Sequence, residues 1–544
     1  MKFLRIGLGA ALLLFASAAL WAGGSDEATV ADAKVNPAGV LPIVDEQVTL
    51  RVFTAQVPAV IDYEDNYQTQ YIEEKTNVKV DWMLVPSQQV SDKLNLVLAS
   101  GTDLPDVFVQ GIGNEALLKY GQEGIFLPLG DYIEEYGFEI KTLIDDMEND
   151  GVDFLKSYTA PDGNIYGLPK INMCRWCYTV WRNWVNTNWM ETLGLDYPTT
   201  VDEYYDMLVA FRDQDPNGNG KQDEIPLMGA TNGWGTQVEG FLMMPFKPHS
   251  TFNYGFNDRM VLENGNISMS FTDSDWFEGV KFIRRLIEDE LLDPVSLTQT
   301  SQEYKVMGES DPPVVGAFLA SNFQFLTLAD EKYKNFEAIA PLKGVKSGKS
   351  QTFINIYFPI SNANFMISNT AAEPEVAFRW ADFQYSYDVS LMSRYGKKGE
   401  DWTEADADHI GAFGDPAVFQ ELTQWGAPTK NRNQFMFGYL SNKMLNGLAM
   451  ADNSDAYYVR RTPKYDPVGV GNGVPRYFLL PHEGDEYSEL RSTLDTYVDE
   501  SFARFVTGDL PLSAYDDFLA EVKKIGIDRF LEMANAAYKR QYGN

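Results

Sequence analysis

The alternation of strand-like and helix-like segments after residue 47 constrains the fold of this chain most strongly. Val48–Thr54 alternates and is rich in β-branched residues, which is typical of a strand. Val78–Leu84 predicts a second strand, and Pro105–Val109 begins a third, continuously apolar one. Helices are predicted between them, at Tyr63–Lys75 and Ser87–Ser100. This order predicts a parallel sheet covered on both faces, and therefore an α/β fold.

Further along the chain, local signals predict helix boundaries. Thr200 and Glu203 have the spacing of a capping box at the start of a helix. Near the C-terminus, Ser513 is predicted to cap one helix, and Gly526 separates it from a final helix. Both terminal helices carry an apolar stripe opposite a heavily charged face, so we interpret the stripes as core contacts and not as membrane-spanning surfaces.

The size and charge of the chain limit its function. With 544 residues, of which 44% are hydrophobic, it can form two lobes with cores of their own. The formal net charge of −34 makes nucleic acids and anionic membranes poor partners. The three histidines are scattered without the spacing of a metal site: His249, His409 and His482.

The N-terminus has the pattern of a secretory signal peptide over residues 1–22. Lys2 and Arg5 are followed by the apolar segment Ile6–Ala19, which is short for a membrane span. Cleavage is expected after Ala22, with Ala18 as the alternative. No cysteine stands where a lipid anchor would need one. We therefore expect a free protein in the periplasm or outside the cell, with residues 23–45 as a flexible leader.

Residues 213–224 form an acidic, glycine-containing loop with oxygen side chains at every second position. Such a loop suits Ca²⁺, which takes six to eight oxygen ligands. The EF-hand register would use Asp213, Asp215, Asn217, Gly218 and Glu224. The register that we favour uses Asp215, Asn217, Asn219, the carbonyl of Lys221, Asp223 and Glu224. Pro226 favours it, because proline blocks the helix that must follow an EF-hand loop. A solvated turn without an ion is the alternative; a bound ion would have a structural role.

Cys174 and Cys177 form a C-x-x-C sequence. In redox-active proteins this motif begins a helix, whose dipole lowers the pKa of the first thiol. Here Tyr178–Trp181 follows and has the character of a strand. A structural disulfide in an oxidising compartment is therefore favoured over redox chemistry.

Leu98–Phe108, with the sequence LASGTDLPDVF, resembles the signature of extracellular solute-binding proteins of family 1, the receptors of sugar-importing ABC transporters. Four later segments resemble other parts of that family in order and spacing: Gly124–Asp131, Asp162–Pro169, Tyr197–Glu203 and Arg394–Trp402. The resemblance extends from about Val48 to the C-terminus. The acidic loop is similar to the calcium loop of alginate-oligosaccharide-binding members, which implies the same six ligands as the register favoured above.

The resemblance implies a two-lobe periplasmic-binding-protein fold of type II. Each lobe is expected to be a mixed sheet flanked by helices, and a hinge joins the two. The expected crossing segments are Lys170–Val180 and Pro341–Gly348. The expected division places residues 46–172 and 345–392 in lobe 1, and residues 173–344 and 393–544 in lobe 2.

Aromatic side chains outside periodic stripes are candidates for sugar binding, because sugar rings stack on flat apolar surfaces. Arginines near the first crossing could pair with a ligand carboxylate. The candidate ligand residues are Arg175, Trp176, Tyr178, Trp181, Arg182, Trp234, Tyr357 and Trp425. For the aromatic residues the competing interpretation is core packing, and for the arginines it is a surface ion pair.

Three classes of function fit these features. The first is a monomeric receptor that closes on an oligosaccharide and delivers it to a membrane permease. The second is a secreted calcium-dependent hydrolase or lyase, which would need a placed pair of carboxylates or a Tyr/His/Arg set. The third is a receptor for a peptide or another non-sugar solute on the same fold. No catalytic motif marks an enzyme, so the sequence favours the oligosaccharide receptor.

Overall fold

The computed structural model describes residues 34–149, 152–251, 259–323, 329–354, 360–411, 413–423, 427–433, 436–449, 454–465, 468–471 and 473–543. The predicted signal peptide and the first part of the predicted leader lie outside these residues.

Within the described residues, strands and helices follow one another along the chain. The strands are β1 Val48–Gln56, β2 Val78–Pro86, β3 Val107–Ile112, β4 Leu168–Asn172, β5 Asn183–Asn186, β6 Ile225–Met228, β7 Met260–Glu263, β8 Asn266–Met269, β9 Val315–Leu319, β10 Phe336–Ala338, β11 Thr352–Phe353, β12 Ile360–Ile367, β13 Trp402–Glu404, β14 Phe419–Glu421, β15 Tyr439–Leu440 and β16 Gly469–Val470. The helices are α1 Tyr67–Thr76, α2 Val90–Ser100, α3 Asn114–Gln122, α4 Gly130–Tyr136, α5 Glu139–Asn149, α6 Phe154–Tyr158, α7 Thr187–Leu193, α8 Val201–Asp213, α9 Val238–Met243, α10 Ser274–Glu288, α11 Ser301–Gly308, α12 Pro374–Gln384, α13 Tyr387–Tyr395, α14 Asn442–Asn446, α15 Ser454–Val459, α16 Pro481–Thr507, α17 Tyr515–Ile525 and α18 Ile527–Tyr542.

The first lobe is built on a sheet of six strands in the order β15-β4-β12-β3-β1-β2. β1 pairs in parallel with both β2 and β3, as the alternating pattern predicts. Val52 of β1 belongs to one apolar cluster and the adjacent Phe53 to another, so the sheet is covered on both faces. Helix α1 begins later than predicted because the side chain of Asn66 caps it by accepting from the backbone N–H of Gln68.

The second lobe is built on a mixed sheet of four strands in the order β10-β5-β9-β6. β5 is antiparallel to both of its neighbours, whereas β9 runs parallel to β6. Helix α8 enters this lobe through the predicted capping box, in which Thr200 and Glu203 each satisfy a backbone N–H of the other. The two mixed sheets flanked by helices confirm the predicted fold class.

The chain passes between the sheets more often than the predicted division implies. It leaves the first sheet after β4 and enters the second at β5, and it returns between β10 and β12. Residues 393–544 were all expected in lobe 2, but β15 pairs in parallel with β4 at the edge of the first sheet. Because a strand of two residues carries almost no periodic signal, the sequence could not reveal this return.

The leader predicted for residues 23–45 is wrong for its described part. Val35 forms a bridge with Val44, and Ile43 and Val44 are fully buried. The guanidinium of Arg379 donates to the carbonyl oxygens of Pro37 and Val40. Residues 34–45 are therefore packed against the first lobe.

At the C-terminus, the long helix α16 of 27 residues precedes the two helices that the sequence predicts. Gly526 separates these two helices, as predicted, with a φ of 122° that favours glycine. The predicted cap at Ser513 is wrong, because this residue lies in a 3-10 turn and α17 begins without a side-chain cap. Among the described residues, no helix is long and apolar enough to cross a bilayer.

Candidate functional site

The first sheet changes its winding direction between β1 and β3. The chain leaves β1 through α1 to reach β2 on one side, and then crosses through α2 to reach β3 on the other. In open α/β sheets, ligands bind beyond the carboxyl ends of the strands at such a switch point. Gly113 and Asn114 follow the carboxyl end of β3 directly, so they mark where a ligand would approach the first lobe.

One cavity extends from this point across to the second lobe, and a second cavity adjoins it along α16. The first, of about 550 Å³, is lined by Gly113–Ala116 of the first lobe, by Pro475–Tyr477 and Leu479, and by α16. The second, of about 650 Å³, is lined by the loop after β6, by α9 and by α16. Asp495 and Asp499 of α16 line both cavities. We call the two cavities together the cleft; each has the volume typical of a small-molecule site.

A buried carboxylate, Glu239, organises the floor of the second cavity. Its Oε1 accepts from Nε of Arg259 at 3.0 Å and from Nε1 of Trp276 at 2.9 Å, and lies 3.2 Å from Nε2 of His249. Its Oε2 lies 2.6 Å from an Arg259 nitrogen. Gly240 allows α9 to pack directly on Trp181, because a Cβ there would lie 1.8 Å from the indole ring. The backbone of α9 thus holds Glu239 in place.

Arg259 connects this floor to the wall of the cleft. Its φ of 59° lies in the left-handed region, which is uncommon for a residue with a side chain. Backbone hydrogen bonds to Ser250 and from Ser270 hold it there. Its guanidinium also lies 2.6 Å from a carboxylate oxygen of Asp499. Arg259 therefore joins the loop before β7 to α16.

In the first cavity, acidic groups are held close to α16. Arg491 pairs with Asp495 one turn later, at 2.6 Å. Burial raises the pKa of Asp495 despite this partner. Across the cavity, Glu115 of α3 accepts a hydrogen bond from Ser488 at 3.3 Å, and burial raises its pKa as well. The cavity thus concentrates carboxylates in partly desolvated positions.

The two lobes meet at the N-terminal end of α16. The side-chain amide of Asn114 donates to the carbonyl oxygen of Tyr477 at 2.7 Å. The hydrogen bond between Ser488 and Glu115 lies beside it. Tyr477 and Tyr487 both line the first cavity, and their hydroxyl groups are 2.7 Å apart.

Three of the predicted ligand residues at the first crossing are buried and contact other parts of the protein: Trp176, Trp181 and Arg182. Trp176 is 3% exposed and Trp181 is 2% exposed, and the indole N–H of Trp181 donates to Thr251. The fully buried Arg182 donates to the carbonyl oxygens of Ser321 and Trp176 and to the hydroxyl of Thr462.

The other predicted ligand residues differ in exposure. Arg175 is exposed and stacks over Phe413 at 5.2 Å, and Tyr178 is half-buried. Trp234 is half-buried in the loop after β6, whose neighbouring residues Asn232 and Gly233 line the second cavity. Tyr357 and Trp425 lie outside the described residues. None of the six described candidates is among the residues that line the cleft.

Four charged residues that line the cleft were not predicted from the sequence: Arg259, Arg491, Asp495 and Asp499. The last three lie on one helix at intervals of four residues, which was a visible signal. The same spacing is common in solvated ion pairs along helices, so it did not distinguish a cleft wall from an ordinary surface.

Cys174 and Cys177 form the predicted disulfide, with their Cα atoms 5.2 Å apart. The bridge encloses Arg175 and Trp176 in a single 3-10 turn. Because the carbonyl oxygen of Trp176 accepts from Arg182, the bridged turn is tied to the start of the second lobe.

In the acidic loop at residues 213–224, carboxylates of the favoured register accept hydrogen bonds from within the loop. Asp215 accepts from the backbone N–H groups of Asn219 and Gly220, and Asp223 accepts from the side-chain amide of Asn219. Asp213 points elsewhere, pairing with Arg212 at 2.7 Å. Strand β6 follows at Ile225, where an EF-hand would need a helix.

Glu224 is the unsatisfied member of the loop. Its Oε1 is buried and has no hydrogen-bond partner, and burial, with Asp215 and Asp223 nearby, raises the pKa of this carboxyl. Among the described residues, no group of three or more His, Cys, Asp or Glu side chains is gathered as a metal site.

Comparisons with known proteins agree with this architecture. The family model for bacterial extracellular solute-binding proteins matches residues 54–389. The fructooligosaccharide ABC transporter substrate-binding protein FusA of Streptococcus pneumoniae is 27% identical, with 100% of both chains covered. Lipoprotein LipO of Bacillus subtilis is 24% identical over 85% of this chain and 86% of its own.

Solved structures give the same fold. FusA of S. pneumoniae in complex with kestose has a TM-score of 0.70 at 23% identity, covering 90% of this chain and 99% of that one. The alginate-binding protein AlgQ2 without calcium ion has a TM-score of 0.64 at 20% identity, covering 91% and 99%.

Proposed function

Because the chain belongs to the family of bacterial extracellular solute-binding proteins, we propose that it is the receptor of an ABC importer and binds an oligosaccharide in the cleft. The observation that carries this proposal is the cavity between α3 of the first lobe and α16, together with the second cavity that shares Asp495 and Asp499 with it. The lining combines aromatic rings, such as Tyr477 and Tyr487, with carboxylates. Aromatic faces stack on sugar rings and carboxylates accept from their hydroxyl groups, so this lining suits a polyhydroxylated ligand.

Binding would be coupled to closure of the lobes. A ligand in the first cavity contacts α3 on one side and α16 on the other, so it favours the arrangement in which both lie close to it. The closed protein then docks on the permease. We place Trp234 at the margin of the ligand, because its neighbours Asn232 and Gly233 line the second cavity, and assign Trp176, Trp181 and Arg182 to positioning the crossing. Ligand contacts from Arg175 and Tyr178 stay predictions. Contacts from Tyr357 and Trp425 stay predictions, as do the cleaved signal peptide, the absence of a lipid anchor and the monomeric state.

The thermal stability of the mature protein in fixed calcium tests this function. An oligosaccharide that binds the folded state raises the melting temperature in proportion to the logarithm of its concentration, and it is recovered unchanged. The panel comprises neutral and uronic-acid oligosaccharides, with short peptides as the comparison. Shortened or unsaturated sugars in the mixtures would show an enzyme, and a shift with peptides alone would show a receptor of another class.

We further propose that the acidic loop binds a structural Ca²⁺ through Asp215, Asn217, Asn219, the carbonyl of Lys221, Asp223 and Glu224. The donor atoms are all oxygen, as a hard cation requires. The Oε1 atom of Glu224 is buried without a hydrogen-bond partner, and a bound cation would satisfy it. A bound cation would offset the repulsion among three carboxylates and hold the connection between α8 and β6 rigid.

Asp223→Ala is expected to lower the melting temperature by several degrees in calcium and to leave it unchanged in a chelator. A ligand whose free concentration is about 100 times its dissociation constant stabilises the folded state by about 2.7 kcal/mol. The variant is expected to lose this stabilisation. Differential scanning fluorimetry with and without EDTA measures it. Asp213→Ala is the matched control, because Asp213 pairs with Arg212 and belongs only to the EF-hand register. Loss of the calcium response in the control, with retention in Asp223→Ala, would reverse the choice of register.

A further inference from the structure

The cleft is lined by more acidic than basic side chains. Among the described lining residues, the carboxylates are Glu115, Glu239, Asp495 and Asp499, and the cations are Arg259, Arg476 and Arg491. The acidic groups are therefore in excess before any pairing is considered. Any oligosaccharide that enters the cleft encounters this excess of negative charge, whatever its glycosidic linkage.

The arginines are already engaged within the protein. Arg259 lies 2.6 Å from Glu239 and 2.6 Å from Asp499. Arg491 lies 2.6 Å from Asp495. Arg476 donates to the carbonyl oxygen of Ser361 at 2.6 Å and to the side-chain oxygen of Asn362 at 3.1 Å. A ligand carboxylate would therefore share each of these cations with a protein oxygen that already contacts it.

The carboxylates of α16, by contrast, face the cavities. The side chain of Asp499 is 64% exposed and that of Asp495 is 33% exposed, although each contacts an arginine. They are four residues apart and therefore lie on one face of the helix, about 6 Å from each other. Both line both cavities, so a ligand that fills either cavity passes beside them. Glu115 adds a third carboxylate from the opposite lobe.

We propose that Asp495 and Asp499 select uncharged oligosaccharides, by accepting hydrogen bonds from sugar hydroxyl groups and by repelling uronate groups. A hydroxyl donor to a carboxylate forms a charge-assisted hydrogen bond, whereas a like charge placed opposite a carboxylate is unfavourable. The inference rests on the proposed function and names its ligand class as neutral. It also assigns the specificity to two residues of one helix.

The test compares one neutral ligand with its own charged derivative. The neutral trisaccharide that gives the largest thermal shift is oxidised at its primary hydroxyl groups to the uronate, which keeps ring shape and linkage. Isothermal titration calorimetry in fixed calcium is expected to show binding of the uronate at least about tenfold weaker than that of its parent. The ratio should decrease between about 20 mM and about 500 mM NaCl, because salt screens the repulsion.

Variants locate the effect on α16. Asp495→Asn/Asp499→Asn keeps the shape of both side chains, and it should bring the affinities for parent and uronate to within a few-fold of each other. Glu500→Gln is the matched control, since it removes a charge from the same helix at an exposed position that does not line the cleft. The control should retain the wild-type ratio.

Two kinds of failure are distinguishable. A uronate that binds as tightly as its neutral parent, or an unchanged ratio in the double variant, would overturn the charge selection while leaving an oligosaccharide receptor in place. No binding of any neutral or acidic oligosaccharide would overturn the proposed function, and this inference with it.

Discussion

Glu239→Gln is expected to lower the free energy of unfolding by about 3–5 kcal/mol, the cost typical of removing one partner from a buried charged pair. The carboxylate is 4% exposed and interacts at once with Arg259, His249 and Trp276. Glutamine keeps the shape but supplies only one acceptor oxygen and no charge, so the guanidinium of Arg259 is left partly uncompensated in a desolvated site. Urea unfolding followed by tryptophan fluorescence measures the change.

The effect has a defined pH dependence. Burial opposes ionisation of Glu239, but the charge of Arg259 and the hydrogen bond with His249 outweigh it and hold the pKa of this carboxyl far below the ordinary value of 4.5. A carboxyl with a lowered pKa contributes stability that is present above its unfolded pKa and is lost as the pH falls. The difference between wild type and Glu239→Gln should therefore be constant near neutrality and diminish below about pH 4.5.

Asp499→Asn is the matched control for this prediction. Asp499 contacts the same guanidinium, but its side chain is 64% exposed, so its loss should cost about 1 kcal/mol or less. Equal destabilisation by the two variants would contradict the assignment of Glu239 as the anchor of the floor.

Arg182→Met is also expected to lower the free energy of unfolding, by about 2–5 kcal/mol, because two buried acceptors each lose their donor. Arg182 is fully buried, and it bridges the first crossing to Ser321, just after β9, and to the 3-10 turn at Thr462. Methionine fills much of the volume but leaves the carbonyl oxygens of Trp176 and Ser321 without their donor. Arg182→Lys should recover only part of the loss, because one ammonium cannot match a planar fork of donors.

Arg175→Met provides the comparison from the same turn. Its side chain is exposed and stacks over Phe413, so the variant should stay within about 0.5 kcal/mol of the wild type. If Arg182→Met changed the free energy of unfolding as little as Arg175→Met, the hydrogen bonds of Arg182 would not stabilise the crossing. The affinity for an oligosaccharide would then decide whether it contacts the ligand.

The parts of the fold that depend on neighbouring residues were predictable from the sequence. The strands at Val48 and Val78 and the capping box at Thr200 follow from periodicity and from hydrogen bonds within a few residues. That no helix follows the acidic loop was accessible for the same reason, since Pro226 disfavours one and a strand begins at Ile225; the calcium register itself stays a prediction. Ser513 shows the limit of such signals, because the 3-10 turn that contains it replaces the expected cap.

The cleft was far less predictable, because tertiary packing decides which side chains line it. Trp176 and Trp181 stand next to a crossing, and nothing in the local sequence distinguishes a ring that faces a ligand from one that fills the core. Asp495 and Asp499 have the spacing of ordinary surface acids, and they become a cleft wall only because α3 and the loop after β6 lie opposite them. The described part of the predicted leader illustrates the same limit, since Ile43 finds its core in a lobe built from distant residues.

The return of β15 to the first sheet has a kinetic consequence. β4 cannot gain this edge partner until Tyr439 has been synthesised, long after the strands of the second sheet are available. Such non-local pairing gives a high contact order, which slows folding because the entropy of loop closure is lost before the contacts form. The first lobe is thus not a contiguous unit of the chain, and an incomplete chain presents β4 as an open edge prone to association.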